Sequence, residues 1–100
     1  MDNLDIVADR IRANFTLKNA ARDAALERSR TLIRHCANAI RAVHRDERPL
    51  ALEHITAARE IAGLIRADLS AFPDLYYAGY TQDALKEFAE ANIVDRKSVV

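Results

Sequence analysis

The stretch AALERSRTLIRHCANAIRAVHR, residues 24–45, carries the reading of the fold. Within it Leu26, Ser29, Ile33, Cys36, Ile40 and Val43 recur at alternating spacings of three and four, which marks one face of a helix. Arg28, Arg34, Arg41 and Arg45, with Arg22 just upstream, fall largely off that stripe. Working back, Leu4, Val7, Ile11 and Phe15 keep the same rhythm, whereas Thr16 to Ala25 is weakly phased and polar. The pattern predicts one helix from Asn3 to Arg45, with a break near Asn14 to Thr16. Unbroken, it would be about 64 Å long at ~1.5 Å per residue, more than a small domain can cover, and so it asks for a partner subunit.

Working forward, Asp46 to Pro49 is the one convincing linker. Pro49 disfavours helix at Arg48 and fits the first turn of the element that follows. A second helix is expected from Leu50 to Ala71, with one stripe of Ile55, Ala58, Ala62, Ile65, Leu69 and Phe72 and another of Leu50, Ala57, Ile61 and Leu64. Two adjacent apolar stripes mean burial from two sides. The Phe72-Pro73-Asp74 corner stops it, and a third helix starts at Asp74 or, after a kink at Gly79, with Thr81 as N-cap. It continues through Leu85, Phe88 and Ile93. Beyond Val94, Asp95-Arg96-Lys97-Ser98-Val99-Val100 reads as an irregular tail on an apparently truncated domain, so residues 1–94 make one unit and 95–100 the tail. No repeat or low-complexity tract appears.

Composition agrees with an all-α fold of long antiparallel helices. The 100 residues contain only two Gly and two Pro, are 50% hydrophobic and 30% charged, and carry one cysteine, Cys36. Disordered, all-β and disulfide-built classes are thereby excluded. No apolar run approaches the roughly 20 residues of a bilayer span, and Met1 to Phe15 is unlike a signal peptide, so no membrane partner is expected and a reducing cytoplasm is the default location. Fifteen basic and fifteen acidic residues give a formal net charge of +0. The halves differ: residues 1–45 hold 9 basic against 5 acidic, and residues 46–100 hold 6 against 10. Such a layout either sets phosphate-binding cations beside carboxylates or merely neutralises helices within a bundle.

Three constellations bear on chemistry. Asp83, Glu87 and Glu90 stand at i, i+4 and i+7, so their carboxylates share one helical face and need a compensating cation. Mg²⁺ meets that need, and so do Lys86 and a basic first helix. His35 and His44 lie about 180° apart around their helix and cannot share an ion, while His54 belongs to the next helix. Cys36 on the apolar stripe reads as a small buried hydrophobe. Tyr76, Tyr77 and Tyr80, with Phe72 and Phe88, either stack on unpaired bases or pack around the Pro73 corner. Gly63 and Gly79 stand alone and form no phosphate loop.

The chain from about Ala21 to Val94 resembles the amino-terminal part of the translin superfamily, which includes translin and translin-associated factor X. Ala39-Ile40-Arg41-Ala42-Val43-His44-Arg45 is similar to the family's first-helix ending, Ala57-Ala58-Arg59-Glu60 to its second helix, and Phe72-Pro73 with Tyr76-Tyr77 to its corner. Ala84-Leu85-Lys86-Glu87-Phe88-Ala89-Glu90-Ala91 resembles the acidic motif of factor X and its archaeal relatives. The resemblance implies a partial translin-like bundle and a single-stranded RNA- or DNA-binding protein. It also implies assembly as a homo-oligomer or a hetero-oligomer with translin-like subunits. In the factor X branch two glutamates of the motif and a later aspartate hold Mg²⁺ for endoribonuclease cleavage, so Glu87 and Glu90 are the implied metal and catalytic residues. The later aspartate has no counterpart within residue 100, and this chain alone is expected to be inactive. Arg59 matches one of translin's basic positions, while Gly79 to Asp83 lacks the family's basic character. Arg41 and Arg45 on the first helix join Arg59 as expected nucleic-acid contacts. The competing reading is a helical oligomerisation module without nucleic-acid function.

Overall fold

Asp2 begins the first helix by accepting the Asp5 N–H at 2.9 Å, which satisfies one of the amides a helix start leaves free. In this computed structural model, which describes residues 2–98, α1 then runs without interruption over Asn3–His44, 42 residues. The expected break near Asn14 to Thr16 does not occur. No Gly or Pro lies there, and the Thr16 hydroxyl donates to the Arg12 carbonyl at 2.9 Å, which the α-helical ladder tolerates.

The turn that follows is built by Asp46 in the left-handed region, φ 59. The Glu47 N–H donates to the Ala42 carbonyl at 2.9 Å and the Asp46 N–H to that of Val43 at 3.1 Å, the paired bonds of a Schellman ending. The chain reverses at once into α2, Arg48–Asp68, which starts two residues earlier than Leu50 and stops short of Ala71. α3 is a single turn, Pro73–Tyr76, and α4 covers Gly79–Ser98. Thr81 is therefore not a cap. It is fully buried, and its hydroxyl donates to the Leu75 carbonyl at 2.9 Å, tying α4 to the corner. The tail expected from Asp95 is also corrected: Asp95 to Ser98 continue α4, with Arg96 and Lys97 favourably placed at its negative end. Val99 and Val100 lie outside the described residues.

The fold is thus all-α, with no strand among the described residues. α1 is the common partner of α2 and α4, which touch one another far less. The ion pair between Arg28 and Asp68 and the contact of His35 with His54 fix α1 and α2 as antiparallel.

Small residues form the seam. α1 buries Ala25, Ser29, Leu32, Cys36, Ala39 and Ala42, α2 buries Ala51, Ile55, Ala58, Ala62 and Ile65, and α4 buries Thr81, Ala84 and Ala91. The α1 stripe is rotated from the expected one. Ser29 and Cys36 are shared, whereas Leu26, Ile40 and Val43 sit half-buried at the edges and Ile33 is 39% exposed. Alanine lets helix axes approach, so the closest line of contact selects small side chains and sends the larger ones to the flanks. In α2 the stripe of Ile55, Ala58, Ala62 and Ile65 is the buried one, while Leu50 and Leu64 of the second stripe remain exposed.

The first part of α1 extends past the bundle. Leu4, Val7, Ile11, Phe15 and Leu17 are each at least half exposed, and the principal extents are 66 × 18 × 15 Å. The radius of gyration is 18.0 Å, against about 13 Å for a compact chain of this size.

Candidate nucleic-acid interface

Because α2 and α4 both pack on α1 but only lightly on each other, a groove runs between them. Arg59 and Arg66 line it from α2, and Leu85, Phe88, Asn92, Ile93 and Arg96 line it from α4. Arg59 and Arg66 stand two helical turns apart, about 10.5 Å at ~1.5 Å per residue, on one face. All three arginines are exposed and, among the described residues, none is engaged in an ion pair. Among the described residues no acidic side chain lines the groove. Its apolar wall is Phe88, packed partly against the core, and Ile93, half exposed. The Asn92 amide donates to the Phe88 carbonyl at 2.9 Å.

Arg66 also borders a second hollow with Leu69, Ser70, Pro73, Tyr76 and Tyr77. There Tyr76 and Tyr77 meet edge to face with ring centroids 4.9 Å apart, and Tyr77 is 72% exposed. One arginine thus joins two hollows, one supplying cations and an apolar wall, the other an open aromatic ring. Tyr76 and Tyr80 instead pack partly against the core, so the tyrosine cluster divides into two packed rings and one exposed ring.

The remaining expected residues lie elsewhere. Arg41 donates to the Asn38 side chain at 2.6 Å, and Arg45 is the C-cap residue of α1. Neither lines the groove with Arg59. Arg66 and Arg96 were not singled out from the sequence. The i, i+7 spacing of Arg59 and Arg66 was the available signal for the first, and Arg96 fell in the segment read as a tail.

Glu87 is half-buried on α4 and faces Cys36, whereas Glu90 is exposed. Burial first, and the Glu87 charge second, push the Cys36 thiol up to about 11, so this cysteine is an inert core residue at neutral pH. Around the α4 axis, at ~100° per residue, the side bearing Asp83, Glu87 and Glu90 is well separated from that bearing Leu85, Asn92 and Arg96. Among the described residues no group of three or more His, Cys, Asp or Glu is gathered closely enough to hold a metal ion. Glu87 and Glu90 supply two carboxylates at most, and the remaining positions of an octahedral Mg²⁺ shell would fall to water or to substrate oxygens.

His35 and His54 do meet, Nδ1 to Nδ1 at 3.0 Å with ring centroids 5.3 Å apart. One ring donates and the other accepts, so the contact is incompatible with both rings being protonated at once. Burial, then His54, then Arg34 lower the His35 pKa.

Among the described residues no helix is long and apolar enough to cross a membrane. Comparison of the chain with protein-family models, with curated proteins and with solved structures gave no match in any of the three.

Proposed function

We propose that this chain binds single-stranded nucleic acid along the track formed by the α2/α4 groove and the tyrosine hollow, as a non-catalytic binding subunit. The observation that carries the reading is the continuity at Arg66, which sets unpaired guanidiniums beside both an apolar wall and an exposed ring. Guanidiniums supply charge-assisted hydrogen bonds to phosphate, and an open tyrosine face offers stacking to a base of any identity. A duplex hides its base faces and presents phosphates alone, so it engages only half of this surface. The translin-like segments noted in the sequence support the same class of ligand. In this reading Arg59 acts with Arg66 and Arg96, while Arg41 and Arg45 lie off the track. The Mg²⁺-dependent cleavage implied by that resemblance needs carboxylates beyond Glu87 and Glu90, so binding is what this chain's own residues support.

The test is fluorescence anisotropy with a labelled single-stranded RNA of about 12 nucleotides and with its duplex. The single strand should bind at least about tenfold more tightly, and Tyr77→Ala should cost roughly 1–3 kcal/mol with the single strand only. Equal affinities for the two, indifferent to charge reversal at Arg66, would refute the reading and leave the oligomerisation module.

A further inference from the structure

Counting back from Ala25 in alternating steps of three and four gives Arg22, Lys18, Phe15, Ile11, Ala8 and Leu4. A 3.5-residue repeat therefore runs on along the projecting part of α1, interrupted by Arg22 and Lys18 and turning gradually around the helix by about 20° per heptad. Lys18 is held at 2.5 Å by Asp74 at the corner. Beyond that point Leu4, Ile11 and Phe15 are 78%, 64% and 66% exposed. Phe15 borders the corner after α2 together with Ala71, Phe72 and Asp74, and Ile11 and Leu4 follow it outward along the projecting helix.

The charges along this arm are sorted. Asp2, Asp5 and Asp9 occupy its first half, and Arg10, Arg12 and Lys18 its second. Two arms side by side in the same direction would set acid against acid and base against base. Antiparallel, each acidic half meets a basic half. With paired positions summing to about 19, Leu4 of one copy faces Phe15 of the other and Ala8 faces Ile11, while Asp9 stays paired with Arg12 of its own helix at 2.6 Å, away from the seam. That register also brings the start of one arm to the hollow of the other copy lined by Asn14, Phe15, Lys18, Ala71, Phe72 and Asp74.

The projecting helix leaves surface uncovered. The chain exposes 6900 Å², about 1,200 Å² more than the roughly 5,700 Å² expected for a compact monomer of 11.2 kDa. A stable interface needs about 800 Å² from each partner.

We infer that residues 3–18 form a docking surface for a second copy of this chain, the two arms pairing antiparallel along Leu4, Ala8, Ile11 and Phe15. This goes beyond the nucleic-acid reading and does not depend on it.

Sedimentation equilibrium of the full chain tests the pairing. A dimer is expected, and Ile11→Glu, which places one charge per copy in the seam, should raise its dissociation constant at least about 100-fold while leaving helicity by circular dichroism unchanged. The helical signal keeps a folding defect distinct from a lost interface. Orientation is read with Cys36→Ser chains carrying either Leu4→Cys or Phe15→Cys. Mixed together they should form the disulfide between unlike chains, and neither alone should link to itself. A monomer at 100 μM or above, self-linking of Leu4→Cys, a dimer indifferent to Ile11→Glu, or a monomer that binds lipid vesicles through this face would each overturn the proposal.

Discussion

If the α2/α4 groove binds phosphate as proposed, the strength of that binding follows from the three guanidiniums of Arg59, Arg66 and Arg96 that line it, and salt counts them. For single strands the slope of log affinity against log salt is about −0.7 per neutralised phosphate, so three contacts give roughly −2.1. Raising salt from 50 to 200 mM should then weaken binding by about 18-fold. Arg66→Gln removes one charge from the middle of the track and should bring the slope to about −1.4, reducing the same loss to about 7-fold. Arg41→Gln, at the far end of α1, should leave the slope near its original value. The measurement is anisotropy titration of one labelled single-stranded RNA at four salt concentrations. It should be done with the Ile11→Glu chain as well, so that a change of oligomeric state is not mistaken for a change in contacts. An unaltered slope in Arg66→Gln, or an equal change in Arg41→Gln, would show that the counted phosphates lie elsewhere.

Two further outcomes concern stability. Gly63 lies inside α2 with open space where a Cβ would project, so Gly63→Ala should raise unfolding free energy by about 1 kcal/mol in urea denaturation, and a loss would mean that this face is covered. The His35–His54 pair gives a pH dependence of definite sign: His35 is harder to protonate in the fold than in the unfolded chain, which takes up the proton near pH 6.5. Stability should therefore fall as pH drops below about 6.5, down to the lowered folded value, and His54→Gln should flatten that slope in thermal melts at pH 5 to 8.

Helix existence was legible wherever apolar residues are periodic, because the scarcity of Gly and Pro leaves little else for this chain to do, and it was missed in the stretches at Asn14 to Thr16 and Asp95 to Ser98. Helix phase was not legible. Leu26, Ile33 and Ile40 outweigh Ala25 and Ala39 on any count of hydrophobicity, yet the alanines take the seam because axis separation rewards small side chains where two helices meet one. The same effect explains the corner, where Thr81 looked like a cap by type but is held inside by the Leu75 carbonyl. Of the residues lining the α2/α4 groove, Arg59 is the one that the translin-like resemblance singles out. Arg66 and Arg96 come together with it only through the pairing of α2 and α4 across α1, a relation between distant segments that no local pattern carries.

The small side chains by which α4 meets the bundle have a dynamic consequence. Thr81, Ala84 and Ala91 bury little area each, and the larger Leu85 and Phe88 contribute only at the edge, so the middle of α4 is anchored through small side chains. Its ends are secured, at the start by the Thr81 hydroxyl and at the finish by the Arg48 guanidinium donating to the Ser98 carbonyl. Amides from about Leu85 to Ala91 should exchange with solvent through a sub-global opening that leaves the α1–α2 hairpin protected. A ligand that bridges Arg59 and Arg96 would close that opening, so bound nucleic acid would register as slowed exchange along α4, in residues that touch it and in residues that do not.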